Sequence, residues 1–252
     1  MDNLLVIVLG AALAGFIQGL SGFGFAMTAI AVWAWVLDPR LTAALAVFGA
    51  LTGQVMSAFT VRRGWHARTL LPFIAGGIAG LPIGLYLLPR LDMPMFKAVL
   101  GTLLVIACPL MFFAARLPRI RRGGPFADAV AGGIGGIMGG LGGSTGVAPT
   151  LWCTLRGYEK ERQRAVIQNF NLALLSITFV GYLATGLIES RMLPLFAVVA
   201  PAMLVPAVLG ARLYVGISEV TFRKVLLGML TASGAGLLGS SLPVLTARWF
   251  AP

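Results

Sequence analysis

The 252-residue chain has very few charged residues. Only 11% are Asp, Glu, Lys or Arg, whereas 58% are apolar and the mean hydropathy is +0.93. Soluble domains typically carry about 25% charged residues, so this composition excludes a soluble enzyme and a disordered protein. The net charge of +11 does not indicate a nucleic-acid partner, because basic residues of membrane proteins gather at the cytoplasmic ends of helices. The chain is therefore predicted to be an integral membrane protein.

Reactive side chains are scarce as well. The two cysteines, Cys108 and Cys153, lie in apolar runs, which favours buried thiols over a disulfide. The single histidine, His66, lies in a basic turn, and no carboxylate falls in the middle of a predicted membrane segment. Residues 19–22 read GLSG and match a protease-like G-x-S-G pattern, but a serine nucleophile needs a nearby base. We therefore expect no enzyme, metal site or cofactor, and no intramembrane acid for proton coupling.

Charged residues divide the chain into ten apolar segments. A helix needs about 20 apolar residues to cross a bilayer, so the second and seventh segments are too short to span. Each of these two follows a glycine-rich break, at residues 19–24 and 139–146. We expect an all-α polytopic membrane protein with about eight full spans and two glycine-broken hairpins, with complete crossing by the short segments as the alternative. The segments are 3–20, 23–37, 41–61, 69–88, 94–115, 126–141, 147–156, 163–185, 191–215 and 220–246.

The two halves of the chain resemble each other. Residues 15–28 read GFIQGLSGFGFAMT and residues 136–150 read GIMGGLGGSTGVAPT, so that six residues coincide when one insertion is allowed. Later matches follow in the same order along each half. We therefore predict two repeats within one membrane domain, residues 1–122 and 123–252. The coinciding pairs are Gly15 with Gly136, Gly19 with Gly140, Gly22 with Gly143, Gly24 with Gly146, Ala26 with Ala148, and Thr28 with Thr150.

The basic residues predict an orientation. Of the 19 Lys and Arg, 14 follow the third, fifth and seventh segments or surround the turn between the ninth and tenth. If the segments alternate, these 14 lie on one side, which the positive-inside rule makes cytoplasmic. Both termini are then outside, and because each half has five segments, the second repeat is inverted. Inverted repeats whose broken helices meet near the bilayer midplane are typical of secondary transporters.

The glycine breaks form the candidate binding site for a small anion. Irregular backbone at membrane depth is tolerated only where it is buried in protein or lines a cavity. The helix N-termini after the breaks present N–H groups and positive dipole ends. Regular small-xxx-small spacing, as at Gly76, Gly80 and Gly84, indicates helix packing instead, whereas the irregular spacing in the breaks favours a ligand. The candidates are Ser21, Gly22, Phe23, Gly24, Gly142, Gly143, Ser144, Thr145 and Gly146.

Side-chain amides within apolar segments are the second group of candidates. Such amides usually point inward, where they bond another helix or face a water-filled path. Gln168 and Asn171 share a helix face through their three-residue spacing, and pore-lining and structural roles are equal alternatives for both. The weaker candidates are Gln18, Gln54, Asn169 and, as a gate beside the first break, Phe25.

The order of these features resembles the sulfite exporter TauE/SafE family, also called the toluene sulfonate uptake permease family. The resemblance covers residues 11–113 and 129–240 through the twin glycine-rich segments, Pro149, the turn at residues 62–64 and the glycine-rich residues 76–84. It implies a multi-pass protein of the bacterial inner membrane that moves sulfite, sulfonates, thiosulfate or small carboxylates. The first break has Phe-Gly-Phe at residues 23–25 where the family often has three glycines, which makes the second break the stronger candidate.

Together these features predict a secondary transporter, with export of sulfite or an organosulfonate by alternating access as the leading hypothesis. An anion leaving a negative cytoplasm gains about 2.3 kcal/mol per 100 mV, so export needs no coupling ion, while H⁺ or Na⁺ coupling stays open. An anion channel or facilitator, an uptake permease and a non-transporting scaffold are the alternatives. The expected partners are a small anion and the lipid bilayer, and a homo-oligomer stays open.

Overall fold

The computed structural model describes residues 2–22, 24–60, 64, 66–114, 119–120, 123–213 and 219–250. These residues form ten α-helices and no strand. Two of the helices have only nine residues, and each begins directly after one of the predicted glycine breaks. The helices are α1 (Asp2–Ser21), α2 (Phe25–Trp33), α3 (Pro39–Thr60), α4 (Ala67–Leu87), α5 (Met93–Phe113), α6 (Gly124–Gly142), α7 (Val147–Leu155), α8 (Lys160–Ala184), α9 (Leu193–Leu213) and α10 (Glu219–Phe250).

Seven helices in the described part of the chain are long and apolar enough to cross a membrane, namely α1, α3, α4, α5, α8, α9 and α10. The remaining long helix, α6, has 19 residues, but eight of them are glycines, which lower its hydropathy. At a rise of 1.5 Å per residue, α2 and α7 are each about 14 Å long, less than half of a hydrocarbon core of about 30 Å. The all-α polytopic fold is thus confirmed, with seven candidate spans rather than about eight.

The long helices pair across the two halves of the chain. Helix α1 packs along α9, α4 packs along α6, and α5 packs along α10. Each helix of the first half has a counterpart five places later in the second half. Exchanging every helix for its counterpart turns the α1–α9 pair into the α6–α4 pair, which the structure also contains. The same replacement maps the α5–α10 and α3–α8 contacts onto themselves. Two intertwined repeats of five helices would produce this exchange.

Glycines allow the helices of these pairs to approach closely. A Cβ atom added at Gly76 would overlap the carbonyl oxygen of Ala129, and one added at Gly136 would overlap that of Gly77. Close backbone approach through small residues is the usual packing device between helices in lipid. The packing interpretation of the regular glycine spacing on α4 is therefore confirmed. It also holds for α6, the helix that precedes the second glycine break.

The buried core surrounds α2. The side chains of Phe25 and Trp33 are both 0% exposed, and their rings meet edge to face with centroids 6.2 Å apart. The Phe25 ring occupies the space beside Gly49 of α3, where a Cβ atom would overlap it. Because α2 is packed on all sides, it forms a fixed wall for whatever binds at its N-terminus.

Candidate anion-binding site

Both breaks rest on glycines whose backbone has positive φ. The φ angles are 75° at Gly22, 101° at Gly24 and 78° at Gly143, a region that L side chains rarely adopt. These turns end α1 and α6 and let α2 and α7 begin in new directions. Gly24 is the N-cap of α2, and Gly146, with ordinary helical angles, is the N-cap of α7.

The two breaks meet at one small cavity of about 30 Å³. Its walls come from α1, α2 and α3 of the first half and from the second break, α7 and α8 of the second half. Most of the residues singled out in the sequence lie in this wall. They are Gln18, Gly24, Phe25, Gln54, Gly143, Ser144, Thr145, Gly146 and Asn171.

Five predicted residues lie outside the cavity wall. The Ser21 hydroxyl donates to the carbonyl oxygen of Ile17 at 2.7 Å, within its own helix. The Asn169 amide Nδ2 donates to the carbonyl oxygen of Gly64 at 3.1 Å, in the turn between α3 and α4. The predicted residue Phe23 falls outside the described residues. The five are Ser21, Gly22, Gly142, Gln168 and Asn169.

Gln168 and Asn171, which were expected to share one face, have different neighbours. Only Asn171 lines the cavity. The Gln168 amide lies beside the first break, where a Cβ atom added at Gly22 would be 3.6 Å from Nε2. Gly142 packs on α2, since its added Cβ atom would be 2.7 Å from Cδ1 of Ile30. Gly22, Gly142 and Gln168 therefore lie in or next to the breaks without lining the cavity.

The first break is held by hydrogen bonds from two glutamines. The carbonyl oxygen of Gly22 accepts hydrogen bonds from Nε2 of Gln54 at 3.1 Å and from Nε2 of Gln18 at 3.4 Å. The backbone N–H of Phe25, the first of α2, donates to Oε1 of Gln18 at 3.2 Å. These bonds pair the carbonyl oxygen of Gly22 and the first N–H of α2, so one acceptor already occupies the N-terminus of α2.

The second break keeps several hydrogen-bond donors unused. No described residue accepts a hydrogen bond from the backbone N–H groups of Ser144, Thr145 or Gly146. The Thr145 hydroxyl donates to Oδ1 of Asn171 at 2.8 Å, which turns the Asn171 amide toward the break. Within the described residues, neither Nδ2 of Asn171 nor the Ser144 hydroxyl has an acceptor, although these side chains are only 3% and 6% exposed. Both residues line the cavity, so these donors are available to a ligand there.

The electrostatics of the cavity favour a negative ligand. Helix N-termini carry a partial positive charge from the aligned peptide dipoles, and the N-termini of α2 and α7 both reach the cavity. The described residues that line it carry no ionisable side chain. An anion would therefore be held by neutral donors rather than by arginine or lysine.

Some lining residues were not singled out from the sequence. Ala50 precedes Gln54 by four residues and Leu175 follows Asn171 by four, so each extends the face of a predicted amide. That helical spacing could have identified both. The others contribute backbone at the start of a half-helix, and only the glycine breaks point to them. They are Ala26, Met27 and Val147.

In the described part of the chain, seven helices able to cross a membrane and two half-helices whose N-termini reach one cavity define a polytopic membrane protein with an internal site. A family model described as sulfite exporter TauE/SafE matches residues 7–237, and the chain belongs to this family of membrane transporters. Comparison with curated proteins and with solved structures gave no match.

Proposed function

We propose that the protein exports a small sulfur oxyanion, with sulfite as the leading substrate, and that the anion binds at the second glycine break. The observation that carries this proposal is the group of unused donors on one side of the cavity. These donors are the three N–H groups of residues 144–146, the Ser144 hydroxyl and Nδ2 of Asn171, and all of these residues line the cavity. Neutral donors at a helix N-terminus are a recurrent way to bind oxyanions.

The size of the cavity favours an inorganic anion over an aromatic sulfonate. Its volume of about 30 Å³ is far below the roughly 150 Å³ of a protein cavity that holds benzene. A pyramidal ion with three oxygens can use several N–H donors without an organic substituent. We therefore expect sulfite to bind better than methanesulfonate, and toluenesulfonate to bind weakest.

The exchange of helices between the two halves supports alternating access as the mechanism. In this proposal residues 1–122 and 123–252 are inverted repeats, with both termini outside the bacterial inner membrane. Rocking of one repeat against the other would open the shared site to each side in turn. The membrane potential favours anion exit by about 2.3 kcal/mol per charge and 100 mV, so the proposed direction is export without a coupling ion.

Sulfite flux in proteoliposomes tests this function. Vesicles with the wild-type protein are loaded with sulfite, and efflux is measured with and without sulfite outside. A transporter gives saturable efflux that external sulfite accelerates, and methanesulfonate competes better than toluenesulfonate. The matched control is Gly239→Ala, because no heavy atom lies within 4 Å of a Cβ atom at that position.

Two results would contradict the proposal. Efflux that stays proportional to concentration and is unaffected by external sulfite would indicate a channel. Binding of every tested anion that is unchanged in Gly143→Val and Ser144→Ala would indicate that the second break is not the binding site. Absence of both binding and flux in the wild-type protein would favour the scaffold alternative.

A further inference from the structure

An apolar groove of about 420 Å³ lies on the outer surface between α6 and α7. It shares no lining residue with the anion cavity. Along α6 the groove is lined by Phe126, Val130 and Ile134, which are 80%, 48% and 48% exposed. Leu151, Trp152 and Leu155 line it along α7.

The corresponding place in the first half is filled by a tryptophan. In the register that pairs Gly15 with Gly136 and Gly24 with Gly146, Trp33 corresponds to Leu155 and Gly10 to Ala131. The Trp33 ring lies where a Cβ atom at Gly10 would overlap it, and its Nε1 donates to the carbonyl oxygen of Val6 at 3.2 Å. Leu155 is smaller than tryptophan, and the Cβ atom of Ala131 takes the space that Gly10 leaves for the ring in the first half. The groove in the second half is therefore not filled by a side chain of the described residues.

Two arginines lie at one end of the groove. The backbone N–H of Ile120 donates to the carbonyl oxygen of Leu155 at 2.8 Å, which brings the segment of Arg119 to that end. Cδ of Arg119 lies 2.8 Å from where a Cβ atom of Gly157 would be. The guanidinium carbon of Arg156 lies 5.8 Å from the centroid of the Trp152 ring. The positive-inside rule makes this end cytoplasmic.

The acidic side chain on α6 beside the groove is turned inward. Asp128 is 5% exposed, and its Oδ1 accepts a hydrogen bond from Nε1 of Trp152 at 2.7 Å. Glu159 and Glu161 follow Arg156 and are exposed, but the exposed Lys160, Arg162 and Arg164 alternate with them. The charge of the described residues near this end therefore stays positive.

We propose that this groove binds one acyl chain of an anionic phospholipid, with the lipid phosphate beside Arg119 and Arg156. The groove is apolar, open to the side and positively charged at its cytoplasmic end, which matches the division of such a lipid into chain and headgroup. Basic sites between helices on the cytoplasmic side are a recognised arrangement for anionic headgroups. The place that Trp33 fills in the first half would thus be filled by lipid in the second.

The test measures lipid retention on the purified full-length protein by native mass spectrometry, with phosphatidylglycerol and phosphatidylcholine of identical chains. The wild-type protein should retain phosphatidylglycerol about tenfold better. The pair Ala131→Gly with Leu155→Trp copies the first half and should fill the groove, so that retention of both lipids falls. Arg119→Gln with Arg156→Gln should abolish the headgroup preference while the chain still binds.

Each measurement can overturn the proposal. Equal retention of the two lipids by the wild-type protein, or unchanged retention after the groove is filled, contradicts it. A disulfide between two copies of a Val130→Cys variant in membranes would assign the groove to an interface between copies of the chain instead. Sulfite flux in proteoliposomes serves as the folding control for the groove-filling pair, since that pair lies outside the anion cavity.

Discussion

The two glycine breaks have similar sequences but use their hydrogen-bond groups differently. In the first break, Gln18 and Gln54 pair with the carbonyl oxygen of Gly22, and Gln18 also accepts the first N–H of α2. In the second break, the N–H groups of residues 144–146 have no acceptor in the described part of the chain. Glutamine side chains thus hold the first break, whereas no side chain of a described residue accepts from the N–H groups of the second break, which leaves these donors for a ligand.

The difference shows that a duplicated element can keep its backbone shape while only one copy is adapted to bind. Both breaks have positive-φ glycines and both start a nine-residue helix. What separates them is the side chain that faces each break. Long glutamines fill the first break, and the shorter Asn171 leaves room beside the second. Substitutions that exchange or remove these contacts therefore test the comparison.

The largest effect is expected from a methyl group at Gly146. Its backbone has φ −80°, so alanine is not strained there, but the new Cβ atom would lie 2.7 Å from Nδ2 and 2.8 Å from Oδ1 of Asn171. The amide must move, and misplacement by about 1 Å can cost about 100-fold in rate. We expect Gly146→Ala to reduce sulfite flux by about that factor without a comparable loss of thermal stability.

The counterpart in the first break should respond in the opposite way. Gly24 has φ 101°, and a Cβ atom there would have no neighbour closer than 3.6 Å. Gly24→Ala should therefore lower stability through backbone strain of about 1–2 kcal/mol and affect sulfite affinity less than Gly146→Ala does. Equal flux losses in the two variants, measured at matched protein content, would show that the breaks are equivalent.

Asn171→Ala should weaken sulfite binding about tenfold. The variant removes one donor to the anion, and a hydrogen bond to a charged group contributes about 1.5–3 kcal/mol; tenfold corresponds to about 1.4 kcal/mol. Thermal shift as a function of sulfite concentration measures this affinity. An unchanged affinity would mean that Asn171 only holds Thr145 in place.

Gln54→Ala should act on stability rather than on binding. Removing its amide leaves the half-buried carbonyl oxygen of Gly22 with the longer bond from Gln18 as its remaining glutamine contact. The expected cost is about 1–2 kcal/mol of unfolding free energy, which lowers the melting temperature by several degrees. Sulfite affinity should stay within about twofold of the wild-type value, and a larger change would give the first break a share in binding.

The sequence predicted the breaks well because glycine composition acts locally. Residues 19–24 and 139–146 interrupt apolar helices wherever the rest of the protein lies, so the starts of α2 and α7 followed directly. The seven candidate spans were also predictable, since length and hydropathy depend on each segment alone. The exception is α6, because its eight glycines lower its hydropathy and it is not among the candidate spans.

The composition of the cavity wall could not be predicted to the same extent. Gln168 and Asn171 are three residues apart and point about 60° apart on a helix, which is enough for one to face the cavity and the other the first break. Ala26 and Met27 have apolar side chains, which give no sign of a polar site. They line the cavity because they lie in the first turn of α2. The contact between Gln54 and Gly22 joins residues 32 positions apart, and only tertiary packing determines it.

The smallest expected effect concerns two threonines that occupy matching positions in α2 and α7, the short helices after the two breaks. Thr28 and Thr150 coincide in the repeat, both are 3% exposed, and the described residues provide no hydrogen-bond partner for either hydroxyl. Because an unpaired buried hydroxyl is unfavourable, Thr28→Val and Thr150→Val should each raise stability by about 1 kcal/mol. In Thr178→Val, by contrast, a hydroxyl that donates to the carbonyl oxygen of Leu174 at 2.7 Å is lost, so this control should gain nothing. If only Thr150→Val failed to stabilise the protein, its hydroxyl would be paired in the membrane, and the asymmetry between the breaks would extend one turn into α7.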